Sequence, residues 1–160
     1  MERVIVTLGQ LAVRRAPATI AALGLGSCVA VLLYDDKARV GGLAHVLLPT
    51  AGDATMLSQP ARYAQSAVPA LRDAVVAAGA EPRRLVARLV GGATMFSNLV
   101  APGLISIGQR NTVAIRRGLD RLGIPVVSEA VGGDFGRSVH FDLGSGIARV
   151  SSATHGQRVF

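Results

Sequence analysis

LGLGSCVAVLLYDDKARVGGLAHVLLP, the stretch from Leu23 to Pro49, decides how the chain reads. Val29 to Tyr34 has the composition of a strand, Asp35-Asp36-Lys37 that of a turn and Val40 to Leu48 that of a returning strand, so the segment predicts a long β-hairpin. It carries the only cysteine, Cys28, just after Gly24 and Gly26, and a histidine, His45, inside an apolar run seventeen positions later. A hairpin folds its arms together and can bring a residue near the start of one arm beside a residue near the end of the other.

Outward from the hairpin, short strands are expected at Arg3 to Thr7 and Leu11 to Arg15, with Gly9-Gln10 between them, and the linker Ala16-Pro17-Ala18 leads to Thr19 to Leu23. Thr50 to Thr55 is small and polar, as in a surface loop. A helix is expected from Ser58 to Ala78, with Ser58 as N-cap, Pro60 in the first turn and Gly79 as the stop. Tyr63, Ala67, Leu71, Ala74, Val75 and Ala78 give it one buried face, and Pro69 inside it predicts a kink or two consecutive helices.

Leu85 to Val90 reads as a strand ending in Gly91-Gly92, followed by a looser apolar segment around Met95 to Val100 and a turn at Pro102-Gly103. A second helix begins near Gly108 to Asn111 and ends at Gly123, with Ala114, Ile115, Leu119 and Leu122 as its inner stripe. Ile124 to Ala130, Ser138 to Leu143 and Ile147 to Ser151 complete the strands, with Gly132-Gly133 and Gly144-Ser145-Gly146 between them; the tail from His155 to Phe160 carries no signal. Strands outnumber helices and several are joined by short turns. The expectation is a single-domain layered α/β sandwich over residues 1–160, with mostly antiparallel strands and two to three helices, rather than a doubly wound parallel sheet.

The mean hydropathy of +0.43 comes largely from alanine, glycine and valine, and no run reaches the roughly 18 apolar residues of a spanning helix. Membrane insertion is therefore not expected. The N-terminus, MERVIVTLGQ, has an acidic residue at position 2 and no long apolar block, so it does not resemble a secretory signal, and a cytoplasmic location is expected. The formal charge of +7 rests on seventeen basic residues, all but Lys37 arginine. They are scattered from Arg3 to Arg158, aromatics make up only 4%, and no nucleic-acid motif accompanies them, so a solvated basic surface is the simpler reading.

Cys28 and His45 could form a nucleophile and general base, since a thiolate attacks and an imidazole in reach can take the thiol proton and return it to a leaving group. Gly24-Leu25-Gly26-Ser27 adds backbone with conformational freedom, and N–H groups at Gly26 and Ser27 could stabilise an oxyanion. Each residue also has a plainer reading: Cys28 as a small apolar filler, His45 as a core histidine bonded to a carbonyl. His45, His140 and His155 show no ligand pair at metal-binding spacing with Cys28, and GLGSC matches neither the dinucleotide nor the P-loop glycine pattern. Neither metal nor cofactor is expected.

LGLGSCVAV, GGLAHVLLP, RLVGGATMF, IGQRN and GGDFGR, in this order, resemble the chemoreceptor glutamine deamidase family, CheD, of bacterial and archaeal chemotaxis, over nearly the whole chain. The resemblance implies that Cys28 is the nucleophile and His45 its base, and that the reaction converts glutamine side chains in the cytoplasmic part of a chemoreceptor to glutamate and ammonia through a thioester. Methylesterase activity is an implied side reaction, and a CheC-type phosphatase an implied partner. In the family a threonine six residues before the cysteine orients the histidine; here that position is Ala22, and Thr19 lies three residues away on the opposite face of an extended strand. Reduced rather than abolished activity is the expectation, and a catalytically weakened interaction module is the alternative. Gly91, Gly92, Gly132, Gly133 and Gly136 are read as sites of close backbone approach. Asn111 is read as a helix cap or a substrate contact, and Arg110 and Arg137 as guides for an acidic surface or partners of Asp134 and Asp142.

Overall fold

The computed structural model describes residues 1–96 and 104–160. In chain order the strands are β1 (Glu2–Ile5), β2 (Leu11–Arg15), β3 (Ala18–Leu25), β4 (Val29–Asp35), β5 (Val40–Val46), β6 (Val86–Gly91), β7 (Val126–Val131), β8 (Arg137–Asp142), β9 (Ile147–Ser152) and β10 (Gly156–Val159). The helices are α1 (Asp53–Ser58), α2 (Ala64–Ala77) and α3 (Ile107–Arg121). The strands form two five-stranded sheets, β1-β3-β8-β9-β10 and β2-β5-β4-β6-β7. β1 pairs with β3 and β6 with β7 in parallel, and the remaining pairings are antiparallel. The chain is thus the layered, mostly antiparallel α/β sandwich that its turns and strand runs predict.

The hairpin β4–β5 lies at the centre, and every residue of both strands is buried. One face packs under α2 and α3, where Val29, Val31, Leu33, Ala44 and Val46 meet Val68, Leu71, Val75, Ile115 and Leu119. The other face packs on the second sheet, where Ala30, Leu32, Tyr34 and Leu43 meet Ile20, Ala22, Leu25, Val139 and Phe141. Burial on both faces explains why the hairpin reads as near-continuous apolar runs while β8, with one face toward solvent, alternates. Each fully buried leucine or isoleucine contributes about 1.5–3 kcal/mol relative to exposure. Tyr34 stands edge-on to Phe141 with ring centroids 5.1 Å apart, and its hydroxyl donates to the Leu143 carbonyl at 2.6 Å, so the two sheets are joined by packing and a directed bond.

The turn of the hairpin is fixed by Asp35, whose carboxylate has no solvent exposure. It accepts from the N–H groups of Lys37 and Ala38, from Glu81 N at 2.8 Å and from the Arg84 guanidinium at 2.9 Å. Burial pushes this carboxyl up, but the Arg84 hydrogen bonds and the three N–H donors outweigh burial and hold it well below the usual carboxylate range.

Several expectations need correction. The segment around Thr50 to Thr55 is not all loop: α1 starts at Asp53, but it buries no residue and so leaves no periodic apolar signal. Ser58 ends α1 rather than capping a long helix; a single 3₁₀ turn at Pro60–Arg62 and extended Tyr63 intervene, and α2 starts at Ala64. The interruption falls before Pro69, which sits inside α2. Gly79, at φ +114°, follows the helix end as expected. α3 starts earlier than Gly108, because Ser106 and Gln109 form a reciprocal capping box. The tail forms β10 against β9. The turn expected at Pro102-Gly103, and most of the apolar segment from Met95 to Val100, lie outside the described residues.

Candidate active site

The hairpin register places Ala30 opposite His45 and Val29 opposite Val46. Continued by one residue, it sets Cys28 opposite Leu47, so Cys28 and His45 are diagonal neighbours on the same face, a spacing of roughly 7–8 Å between backbones. That face is the inter-sheet one: Leu43, two residues before His45, and Ala30 belong to the inter-sheet core, and half-buried Cys28 packs against its edge. Burial pushes the Cys28 thiol above its ordinary range, and its own backbone N–H offsets this only in part. Burial thereby disfavours the thiolate form.

His45 is 6% exposed, and its Nδ1 lies 3.0 Å from the carbonyl oxygen of Val6. A carbonyl only accepts, so Nδ1 carries hydrogen, and in the neutral ring Nε2 holds the free lone pair. Among the described residues the hydrogen bond of the ring is this one, with none to the Cys28 sulfur. Backbone bonds keep Val6 in register: its N–H donates to Ala21 at 2.8 Å, while Gly9 N donates to His45 O at 2.9 Å and His45 N to Gln10 O at 3.0 Å. The segment after β1 is thereby laced to both β3 and β5. Ala22 is fully buried in the same inter-sheet layer, and Thr19 faces the other way, lining a surface groove with Arg3, His140 and Asp142.

The backbone before β4 is held by its carbonyls. Ala93 N donates to Gly26 O at 2.9 Å, Gly92 N to Cys28 O at 2.8 Å, and the Asn111 side-chain amide to Ser27 O at 3.1 Å. Among the described residues the N–H groups of Ser27 and Cys28 donate to no backbone carbonyl. Gly91 and Gly92 have φ +114° and +64°, and a β-carbon on Gly91 would collide with the Cys28 carbonyl, so both glycines make the close approach expected of them. Exposed Met95 packs against Gly26, two residues before Cys28.

The remaining sequence candidates are elsewhere or act differently. Asn111 neither caps α3 nor faces solvent; it is fully buried and joins Ser27 O to Leu47 O, the latter at 2.9 Å. Arg137 is 5% exposed and guides no surface: it donates to the carbonyls of Ala130, at 2.8 Å, and Gly132, and lies over the Phe135 ring. Asp142 accepts from Gly144 N and Ser145 in the β8–β9 turn, and Arg110 is exposed. Gly132 and Gly133 take positive φ in the turn after β7, whereas Gly136 has only ordinary contacts. His140 and His155 lie apart from His45, the first in the groove with Thr19 and the second stacked on Phe135. Sequence reasoning missed Val6, because a main-chain carbonyl has no residue-type signature, and the bracing role of Asn111.

Fold and site together define a class: a two-sheet α/β protein with a thiol and a tautomer-fixed imidazole on one face of its central hairpin. A family model described as "CheD chemotactic sensory transduction" matches residues 47–152. A protein of Desulfitobacterium hafniense named "Probable chemoreceptor glutamine deamidase CheD" is 42% identical over 154 residues, 96% of each chain. Proteins of the same name from Archaeoglobus fulgidus, 41% identical over 96% of each chain, and Pyrococcus horikoshii, 40% identical over 98% of this chain and 96% of that one, extend the similarity to archaea. The chain belongs to the CheD family.

Proposed function

We propose that this protein, as one domain over residues 1–160, deamidates glutamine side chains in the cytoplasmic region of chemoreceptors, with Cys28 as nucleophile and His45 as general base. The observation that carries the proposal is His45 itself: on the Cys28 face of the hairpin, with Nδ1–H on the Val6 carbonyl, its Nε2 is the nitrogen free to accept a proton. The names of the relatives supply the substrate class.

In this reading the thiol stays neutral until substrate arrives. Its proton passes to Nε2 of His45 as the sulfur bonds to the carboxamide carbon, and the N–H groups of Gly26, Ser27 and Cys28 stabilise the oxyanion. The carbon–nitrogen bond breaks as His45 protonates the amine, which leaves as ammonia. Water then gives a proton to His45 and its oxygen to the thioester carbon; the carbon–sulfur bond breaks, leaving glutamate and regenerating the thiol. A glutamyl methyl ester would enter the same thioester with methanol as leaving group. No step requires a cofactor, and the reaction takes place in the cytoplasm, where the receptor segment lies.

The test is mass spectrometry of a receptor cytoplasmic fragment incubated with wild type and with Cys28→Ala. Conversion of glutamine to glutamate by wild type alone supports the proposal; equal conversion by Cys28→Ala, or none by wild type, refutes it. The second reading, a weakened module that binds a CheC-type phosphatase, is favoured by Ala22, which offers the imidazole no polar group, and by the half-buried thiol, whose thiolate burial disfavours. Binding of that phosphatase by a wild type that leaves glutamine untouched would establish it.

A further inference from the structure

The last paired residues of the hairpin are Val29 and Val46, and beyond them the arms are joined by a side chain from another layer. Asn111, on the buried side of α3, donates through Nδ2 to Ser27 O on one arm and to Leu47 O on the other. Both partners are carbonyls, which fixes the amide with its NH₂ toward them. Oδ1 is then buried without a partner among the described residues. A buried acceptor left unpaired is destabilising, so an asparagine kept here for fold stability alone would be a poor choice.

The Ser27–Cys28 peptide is trans, and in a trans peptide the C=O and the following N–H point in opposite directions. A donor that fixes the Ser27 carbonyl therefore aims the Cys28 N–H away from α3. The neighbouring carbonyls, Gly26 O and Cys28 O, are fixed by main-chain donors from Ala93 and Gly92, which any residue supplies. Only the middle carbonyl depends on a side chain. We infer that Asn111 is a positioning residue that aims the Cys28 N–H at the developing oxyanion during acylation of the thiol. The inference rests on the reading of Cys28 as nucleophile.

The test compares two reactions of one thiol. Acylation by p-nitrophenyl acetate passes through an oxyanion; alkylation by iodoacetamide at its methylene carbon does not. In Asn111→Leu, which keeps the approximate size and loses the donors without adding charge, the acylation rate constant is expected to fall about 10- to 100-fold, by analogy with loss of an oxyanion donor. The alkylation rate, its pH profile and the KM for a receptor fragment stay at wild-type values. An equal fall in acylation and alkylation would show a merely structural role and overturn the inference, as would unchanged acylation, or a wild type acylated no faster than Cys28→Ala. Wild type that is acylated by the ester but leaves receptor glutamine intact would refute the proposed substrate and not this inference. A measurement without variants guards against misfolding: on forming a hemithioacetal with butyraldehyde, the Cys28 amide proton of wild type is expected to move downfield, and an unmoved resonance overturns the inference.

Discussion

His45 Nδ1 is 3.0 Å from the Val6 carbonyl oxygen, and this one contact sets the tautomer of the ring. The family resemblance assigns the orienting role to a threonine at the position of Ala22, which here has no polar group to offer. A main-chain acceptor from the segment after β1 supplies the restraint instead. It is itself held by the Val6 N–H on Ala21 and by two backbone bonds around His45.

Restoring threonine at position 22 should therefore gain little. Ala22→Thr is expected to change kcat for deamidation by less than about threefold, since less than about 0.7 kcal/mol is left for a second orienting group to supply. Because Ala22 is fully buried between the sheets, the added hydroxyl and methyl should lower the thermal midpoint. A large rise in kcat would show that the Val6 carbonyl is an inadequate substitute.

The raised thiol gives a pH prediction. Native Cys28 should react slowly with iodoacetamide at neutral pH, and the rate should climb with a midpoint above that of an ordinary cysteine, because burial disfavours the thiolate. A midpoint near or below neutrality would show a preformed thiolate–imidazolium pair. His45→Ala should leave this alkylation profile largely in place while lowering deamidation by about 10²- to 10⁴-fold, the range expected for a general base.

Gly91→Ala should disable the site more than the fold. Its φ of +114° disfavours any side chain, and the new β-carbon meets the Cys28 carbonyl, so Cys28 must shift. A cost of about 1–3 kcal/mol in stability is expected from denaturant unfolding, with loss of most Cys28-dependent turnover. Retention of full turnover would show that the loop tolerates displacement.

Asp35 sets the acid limb of stability. Its carboxyl is held below its unfolded value, so its contribution is fully present above the unfolded pKa of about 4 and is lost as pH falls from there toward the folded pKa. Asp35→Asn should unfold more easily at neutral pH, by about 2–4 kcal/mol, and should show a flatter decline between neutral and acidic pH. Parallel acid limbs in wild type and variant would exclude Asp35 as the group responsible.

Much of the architecture is legible because it depends on local pattern. Val29 to Tyr34 and Val40 to Leu48 are apolar runs bounded by a turn, and β4 and β5 form there. Gly79 and Gly123 stop their helices at positive φ. What fails locally is what lacks a periodic signal: α1 buries nothing, β10 is exposed along its length, and the start of α3 depends on a reciprocal bond between Ser106 and Gln109.

The sequence alone determined that the chain is a layered α/β sandwich of the CheD family with a lone thiol and an imidazole on one hairpin, because strand pairing follows the apolar pattern and the chain has a single cysteine. Only the tertiary structure decided what surrounds that pair. The Val6 carbonyl on His45, the Asn111 amide across Ser27 and Leu47, and the burial that disfavours the Cys28 thiolate all depend on residues from different elements and layers. Hydrogen bonds to main-chain atoms and desolvation depend on where the chain folds back on itself. No residue type announces them in advance.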